Sequence, residues 1–185
     1  MVFRRTDVIS KFMRTVRYIT LILSITLLSS FSSMDRFSLE LNKLQKHELY
    51  ALQTESIGKT YLYNLTNRKD CNKTSIKYLG IIKTKNGKQY KVLSSFFVYS
   101  AASTCHGTSN IKIYDMKNKY IGAYYVGMPY DLPVKITENK FVCWTNSKEC
   151  DYRNGLKINF EKGLPKTFFL TCSKKGGDFC SFSSE

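Results

Sequence analysis

Two adjacent residues, Cys105 and His106, have the side chains of a nucleophile and its general base. A cysteine nucleophile needs an imidazole within hydrogen-bonding reach of its sulfur. Neighbouring side chains in an extended chain point to opposite sides, so this pair meets only if its loop folds back. A hydrolase or redox enzyme that uses Cys105 and His106 is therefore the least favoured hypothesis for this chain.

Tyrosine and lysine are concentrated between residues 109 and 132. Aromatic rings beside cations suit stacking on sugars or bases, with a lysine meeting an acidic group of the ligand. In a regular strand Tyr120 and Tyr124 share one face, and Tyr125 points to the other. The commoner use of such tyrosines is amphipathic packing at a sheet surface. If they bind a ligand, the predicted binding set is Tyr114, Tyr120, Tyr124, Lys112 and Lys119.

Other signatures of catalysis or cofactor binding are missing from the sequence. It has no CxxC pair, no phosphate-binding glycine loop, no GxSxG elbow and no HExxH motif. His47 falls in a predicted helix and is expected at its surface. Asp131 and Glu138 could form a carboxylate pair, but such spacings are common by chance. We predict no cofactor, no metal ion and no catalytic residue.

The chain has six cysteines, and an even number in an exported domain is typical of disulfides. Local spacing favours Cys143–Cys150 and Cys172–Cys180 as hairpin closures. Paired strand positions bring Cα atoms near the roughly 5.5 Å that a disulfide needs. Cys71 and Cys105 would then pair by default. The sequence alone does not choose among the many other pairings.

One helix is predicted at the start of the globular body, from Asp35 to Gln53. Its apolar residues recur at helical spacing and form one stripe, whereas Glu48 lies off that stripe. The members of the stripe are Phe37, Leu41, Leu44 and Leu52.

After this helix the pattern is that of antiparallel strands. Asn86-Gly87 separates two apolar runs and is a strong hairpin signal, because both turn positions tolerate positive φ. A polar loop is expected at 100–110, and two prolines in 128–133 should interrupt the sheet. The predicted strands are 78–85, 89–99, 111–115, 120–126, 141–145, 156–160 and 167–172.

These patterns predict an α+β, mostly β fold. One N-terminal helix should pack on an antiparallel sheet or small barrel of about six to eight strands.

The N-terminus has the three parts of a secretory signal. Residues 1–17 carry five basic side chains and one acid, residues 18–34 carry no charge, and Ser32 and Ser33 close the apolar run. As a helix this run is roughly 25 Å long, slightly short for a membrane span. We expect residues 1–33 to be a cleaved signal peptide or a retained anchor, and translation to start at Met1 or Met13. Residues 34–185 should be a single disulfide-containing β-rich domain.

The formal net charge is +15, of which the first 33 residues contribute +4. The remaining excess of about +11 attracts acidic partners, although scattered lysines also serve simply to keep a protein soluble. Nucleic acid is not expected as a ligand of an exported domain. The candidate partners are therefore an acidic protein or polysaccharide, and the membrane through residues 16–34 if these are uncleaved.

Residues 111–133 contain Tyr114-Asp115, Lys119-Tyr120 and the bend Met128–Pro133. With these features the chain resembles uncharacterised exported proteins of Bacteroidota-type bacteria over residues 78–142. The resemblance implies a location in the periplasm or at the inner membrane, with the body outside the cytoplasm. It implies no activity.

Together these features predict an envelope protein that binds a partner through its sheet and has no enzymatic activity. A small secreted inhibitor or immunity-type protein is the first alternative. The enzyme that uses Cys105 and His106 is the second.

Overall fold

The computed structural model of the protein describes residues 39, 41–65, 71, 73–101, 104–144, 149, 150, 152 and 155–184. The predicted leader 1–33 and the predicted helix start at Asp35 lie outside these ranges. Within them, no helix has both the length and the apolar character that a membrane crossing requires.

The predicted α+β, mostly β fold is confirmed. One helix, α1, covers residues 41–54. A short 3₁₀ helix, Pro129–Asp131, follows the fifth strand. The strands in chain order are β1 (Thr60–Asn64), β2 (Lys73–Lys83), β3 (Gln89–Ala101), β4 (Thr104–Tyr114), β5 (Tyr120–Gly127), β6 (Lys135–Thr137), β7 (Phe141–Cys143), β8 (Lys157–Asn159), β9 (Thr167–Thr171) and β10 (Gly177–Ser184).

The strands form two antiparallel sheets in the described part of the chain. The large sheet has the order β1-β2-β3-β4-β5-β10-β9, and the small sheet has the order β6-β7-β8. The first five strands are neighbours in both sequence and space, and short turns at 84–88 and 115–119 connect β2 to β3 and β4 to β5. The Asn86-Gly87 turn joins β2 to β3 as predicted, with Lys83 opposite Gln89.

Two separate apolar cores lie on opposite faces of the large sheet. Alternation along β3 sends Leu93 and Phe97 toward α1, where Leu44 and Leu52 are buried with them. The opposite face of the sheet packs against the small sheet and its connections. Its core residues include Val92, Ile111, Tyr124, Val142, Trp144 and Phe160.

The polar segment predicted as a loop at 100–110 is mostly strand. β4 begins at Thr104 and pairs with β3 without interruption, from Ala101 opposite Thr104 to Lys91 opposite Tyr114. Because Thr104 to Gly107 are exposed, this end of the hairpin is held by backbone pairing and not by apolar burial. Apolar periodicity therefore gave no signal for it.

Two disulfides are present, and only one was predicted. Cys71 is bonded to Cys105 as expected, with Cα atoms 5.7 Å apart. The predicted hairpin closures are wrong, since Cys150 is bonded to Cys172 with Cα atoms 4.3 Å apart. Cys143 and Cys180 hold buried thiols outside these two bonds.

The register of β9 and β10 explains this correction. Cys180 lies opposite Phe168, whereas Cys172 follows the end of β9 and its N–H donates to the carbonyl of Gly176. Cys172 and Cys180 are therefore separated by roughly 13 Å along the hairpin. Two disulfides indicate an oxidising compartment outside the cytoplasm.

We expect peptide mapping of the unreduced protein to recover Cys71 linked to Cys105 and Cys150 linked to Cys172. Mass spectrometry of proteolytic fragments measures both links, and the reduced and alkylated protein is the control in which they disappear. A link from Cys143 to Cys150, or from Cys172 to Cys180, would contradict the fold described above.

Candidate functional site

The structure brings together only part of the predicted binding set: the rings of Tyr114 and Tyr120 have centroids 5.5 Å apart, and Lys112 Nζ lies 6.0 Å from the Tyr120 ring centroid. Tyr114 is buried under α1, whereas Tyr124 is fully buried in the core on the opposite face. Tyr120 faces the α1 side, so the prediction that Tyr120 and Tyr124 share a face is wrong. The cause is a register shift between β4 and β5: Tyr114 lies opposite Tyr120, but Ile113 lies opposite Gly122. One extra residue in β5 reverses the faces of all that follow.

Lys112 and Tyr114 bind a buried carboxylate of the protein itself. Lys112 Nζ lies 2.7 Å from Glu48 Oε1, and Tyr114 Oη donates to Glu48 Oε2 at 2.8 Å. Ser95 Oγ donates to Oε1 at 3.3 Å. Glu48 is only 2% exposed, and these donors offset the free-energy cost of burying its charge. Lys112 and Tyr114 therefore fix α1 on the sheet.

Tyr124 and Lys119 also have structural contacts. Tyr124 Oη donates to the carbonyl of Pro165 at 2.7 Å, and burial raises the pKa of this phenol. Lys119 is exposed in the β4–β5 turn, where its backbone N–H donates to Asp115 Oδ1 at 2.8 Å. Tyr124 and Lys119 therefore lie apart from Lys112, Tyr114 and Tyr120, which remain together on the α1 side of the sheet.

The Cys105–His106 pair does not form a nucleophile and its base. The sulfur of Cys105 is bonded to Cys71, so the thiolate that the enzyme hypothesis requires is absent from this structure. His106 Nε2 lies 2.8 Å from Thr104 Oγ1, and its ring stacks on Tyr99. This pair belongs to the surface of the β3–β4 hairpin.

The remaining sequence candidates have local partners. His47 stacks on Tyr63 with ring centroids 3.6 Å apart, and partial burial lowers its pKa. Asp131 is buried and accepts a hydrogen bond from the Met128 N–H at 2.9 Å. Glu138 pairs with Lys140 at 3.7 Å. Within the described ranges, no three His, Cys, Asp or Glu side chains come together as metal ligands.

The structure places two surface cavities on either side of Tyr130. The first cavity has a volume of about 320 Å³ and is lined by Tyr125, Met128, Phe179 and the Cys150–Cys172 disulfide. The second has a volume of about 330 Å³ and lies over β1, β2 and β3. Tyr130 lines both, so a single ligand that covers it can enter both cavities.

The bend that carries Tyr130 is held firmly in place. Pro129 begins the 3₁₀ helix, and the Asp131 carboxylate accepts the Met128 N–H. Trp144 Nε1 donates to the Asp131 carbonyl at 2.8 Å, which ties the bend to the core. The sequence signal for this bend is the Met128–Pro133 segment, whose two prolines predict a break in the sheet but not a cavity.

The first cavity has an aromatic rim that is open to solvent. Phe179 is 76% exposed, Tyr125 is 59% exposed and Met128 is 54% exposed. The ring of Phe169 packs beside Phe179, with centroids 5.0 Å apart. A cluster of exposed apolar side chains on one surface is typical of a binding site.

The second cavity has a mixed lining of polar and apolar residues, and Lys77 is the one charged residue among those that line it. Lys77 lies on β2 between Thr60 of β1 and Ser94 of β3, and Ser75 completes a row of hydroxyl groups around it. Among the described ion pairs, none engages Lys77. A half-buried lysine beside residues with hydroxyl groups suits a carboxylate or another oxyanion.

No protein-family model matches this chain, and no curated protein or solved structure is significantly similar to it. Its class therefore follows from its own fold and surface. It is an α+β, mostly β domain with two disulfides and two cavities that meet at Tyr130.

The Glu48 network predicts a large stability effect. We expect Glu48→Gln to lower the free energy of unfolding by about 3 kcal/mol, because it leaves the partly buried Lys112 ammonium without its counter-charge. The matched control is Glu138→Gln, which removes an exposed ion pair and should cost less than about 1 kcal/mol. Urea unfolding followed by circular dichroism measures both. Equal losses in the two variants would contradict the anchoring role of Glu48.

Proposed function

We propose that this protein is an exported, non-enzymatic binding module of the cell envelope, and that the surface around Tyr130 binds an acidic partner. The observation that carries the proposal is the shared position of Tyr130, between an aromatic cavity and a cavity that contains Lys77. Exposed rings supply contact area, and the ammonium selects for an acidic group.

The charge distribution supports an acidic partner. The body after residue 33 retains about +11 of the formal charge. In the described part of the chain, three ion pairs engage Lys91, Lys112 and Lys140 with glutamates. The excess of basic side chains produces a positive field, which increases the rate of encounter with acidic molecules. Lys77 lines the second cavity, so its charge can attract an acidic group at a place where the cavity walls also limit the shape of the ligand.

Export is supported by two independent features. The basic and then apolar N-terminus is typical of a secretory signal or anchor. The two disulfides require an oxidising environment to form and persist. An acidic protein or polysaccharide of the envelope is the partner class that such a location offers.

A second candidate is a small secreted inhibitor or immunity-type protein. The pair of exposed rings, Phe169 and Phe179, favours it, because aromatic residues are enriched where proteins meet. This candidate predicts that Phe179→Ser abolishes partner binding and that Lys77→Gln has little effect.

The charge of Lys77 provides the first test of the proposal. We expect Lys77→Gln to raise the Kd for an acidic polymer about tenfold, a loss of about 1.4 kcal/mol. The probes are poly-glutamate and polygalacturonate, measured by titration calorimetry at several salt concentrations, with neutral dextran as the blank. The matched control is Lys117→Gln, which removes the same charge from the exposed β4–β5 turn. Equal weakening by both variants, or no binding to either acidic polymer, would sink the proposal.

The ring of Tyr130 provides a second test. We expect Tyr130→Ala to weaken binding of the same polymer at least fivefold, because stacking or burial on one ring contributes about 1 kcal/mol or more. Tyr50→Ala is the control, since Tyr50 is also exposed but lies on α1, on the opposite side of the sheet. An unchanged Kd in the folded Tyr130→Ala variant would show that the two cavities do not act together.

A further inference from the structure

We propose that the acidic partner is an extended polypeptide segment that adds as a strand to the outer edge of β1. This inference rests on the proposed function for the acidic character of the partner. It adds the class of molecule, the place where it binds and the side-chain pattern that it needs.

β1 is an edge strand of unusual regularity. It ends the order of the large sheet, and no described strand lies on its other side. Its pairing with β2 is uninterrupted from Thr60 opposite Lys77 to Asn64 opposite Lys73. The strand itself, Thr-Tyr-Leu-Tyr-Asn, contains no Lys, no Pro and no bulge, which are the usual protections of an edge. No strand of the described residues pairs with its outward N–H and C=O groups, so another strand can be added there.

The side chains of β1 on the cavity face place one apolar group at the centre. Thr60 lines the second cavity, and alternation puts Leu62 and Asn64 on the same face. Leu62 is 78% exposed, the highest exposure among the described large apolar side chains. An added strand would cover it with an apolar side chain of its own.

Two lysines of the next strand flank this apolar position. Lys77 is opposite Thr60 and Lys73 is opposite Asn64, so the two cations are roughly 13 Å apart on either side of Leu62. A strand added to β1 lies about 10 Å from β2. Extended lysine and glutamate side chains can together span that distance. The surface therefore selects an acidic residue at each end of a five-residue segment.

The edge therefore selects a five-residue segment whose first and fifth residues are acidic and whose third residue is apolar. All three selected side chains fall on one face of the added strand because side chains alternate with a period of two. The two intervening residues face the α1 side, where Tyr61 and Tyr63 lie. An acidic segment with the wrong spacing has the same charge but cannot place both acids beside the lysines.

A second copy of this chain is a poorer occupant of the same edge. Pairing β1 with β1 would bring Lys73 and Lys77 of both copies to one surface, and each body is strongly basic. Like charges at this distance oppose association. A different chain with acidic side chains relieves the repulsion.

The test compares two nine-residue peptides of identical composition. One, Ser-Thr-Glu-Thr-Val-Thr-Glu-Thr-Ser, has glutamates four apart on one face. The control peptide moves one glutamate by a single position, so that the two acids face opposite sides. We expect the full chain to bind the first peptide at least tenfold more tightly by fluorescence anisotropy. Hydrogen exchange should show slower exchange of the backbone amides of residues 60–64 only with the first peptide.

Two variants of the protein locate the binding edge. Leu62→Asp places an acid against the incoming strand and should weaken binding of the first peptide at least tenfold. Met116→Asp, the same kind of change in the exposed β4–β5 turn, should leave that Kd unchanged. Because Leu62 is largely exposed, both variants are expected to fold, and circular dichroism checks this.

The outcomes separate this inference from the proposed function. Equal affinity for the two peptides, together with Lys77-dependent binding of the acidic polymers, overturns strand addition and leaves the proposed function standing. Absence of binding to either peptide and to every acidic polymer overturns both. A dimer in sedimentation that Leu62→Asp dissociates identifies a second copy as the occupant and also overturns the inference.

Discussion

The buried carboxylate of Glu48 is the contact on which the architecture depends. It joins α1 to Lys112 and Tyr114 of β4 and to Ser95 of β3, so that one side chain holds the helix across two strands. The Glu48 side chain is only 2% exposed, and its negative charge is tolerated because both carboxylate oxygens have hydrogen-bond or ion-pair partners. The Lys91–Glu55 ion pair at 2.6 Å secures the end of the same helix.

The helix α1 packs on one face of the large sheet, and the small sheet packs on part of the other face. In the described part of the chain, the Met128–Pro133 bend and the edge strand β1 are among the surfaces that neither layer covers. Lys77 serves both, because it lines the second cavity and lies beside β1.

The disulfides stabilise the parts of the fold where apolar packing ends. Cys71 and Cys105 join the start of β2 to the exposed start of β4, and Cys150 and Cys172 join the chain after β7 to the end of β9. A small domain buries too little apolar surface to stabilise such peripheral segments by packing, so disulfides hold them in place. Spacing along the sequence did not reveal the Cys150–Cys172 bond, because these residues are 22 positions apart and only the fold brings them together.

The sequence by itself determined the local elements: the helix, the Asn86-Gly87 hairpin, the break at Met128–Pro133 and the mostly β character. These depend on turn chemistry and on short-range periodicity, which the chain carries in every conformation. Only the tertiary structure decided that Glu48 is buried, that Tyr124 faces away from Tyr120, and that Cys150 bonds Cys172. The prediction that Glu48 lies off the apolar stripe is wrong, because its contacts with β3 and β4 bury it beside Leu44 and Leu52. The Cys150–Cys172 bond depends on how the chain after β7 meets the end of β9. The faces of Tyr120 and Tyr124 depend on strand register, and a one-residue shift reverses faces without changing composition.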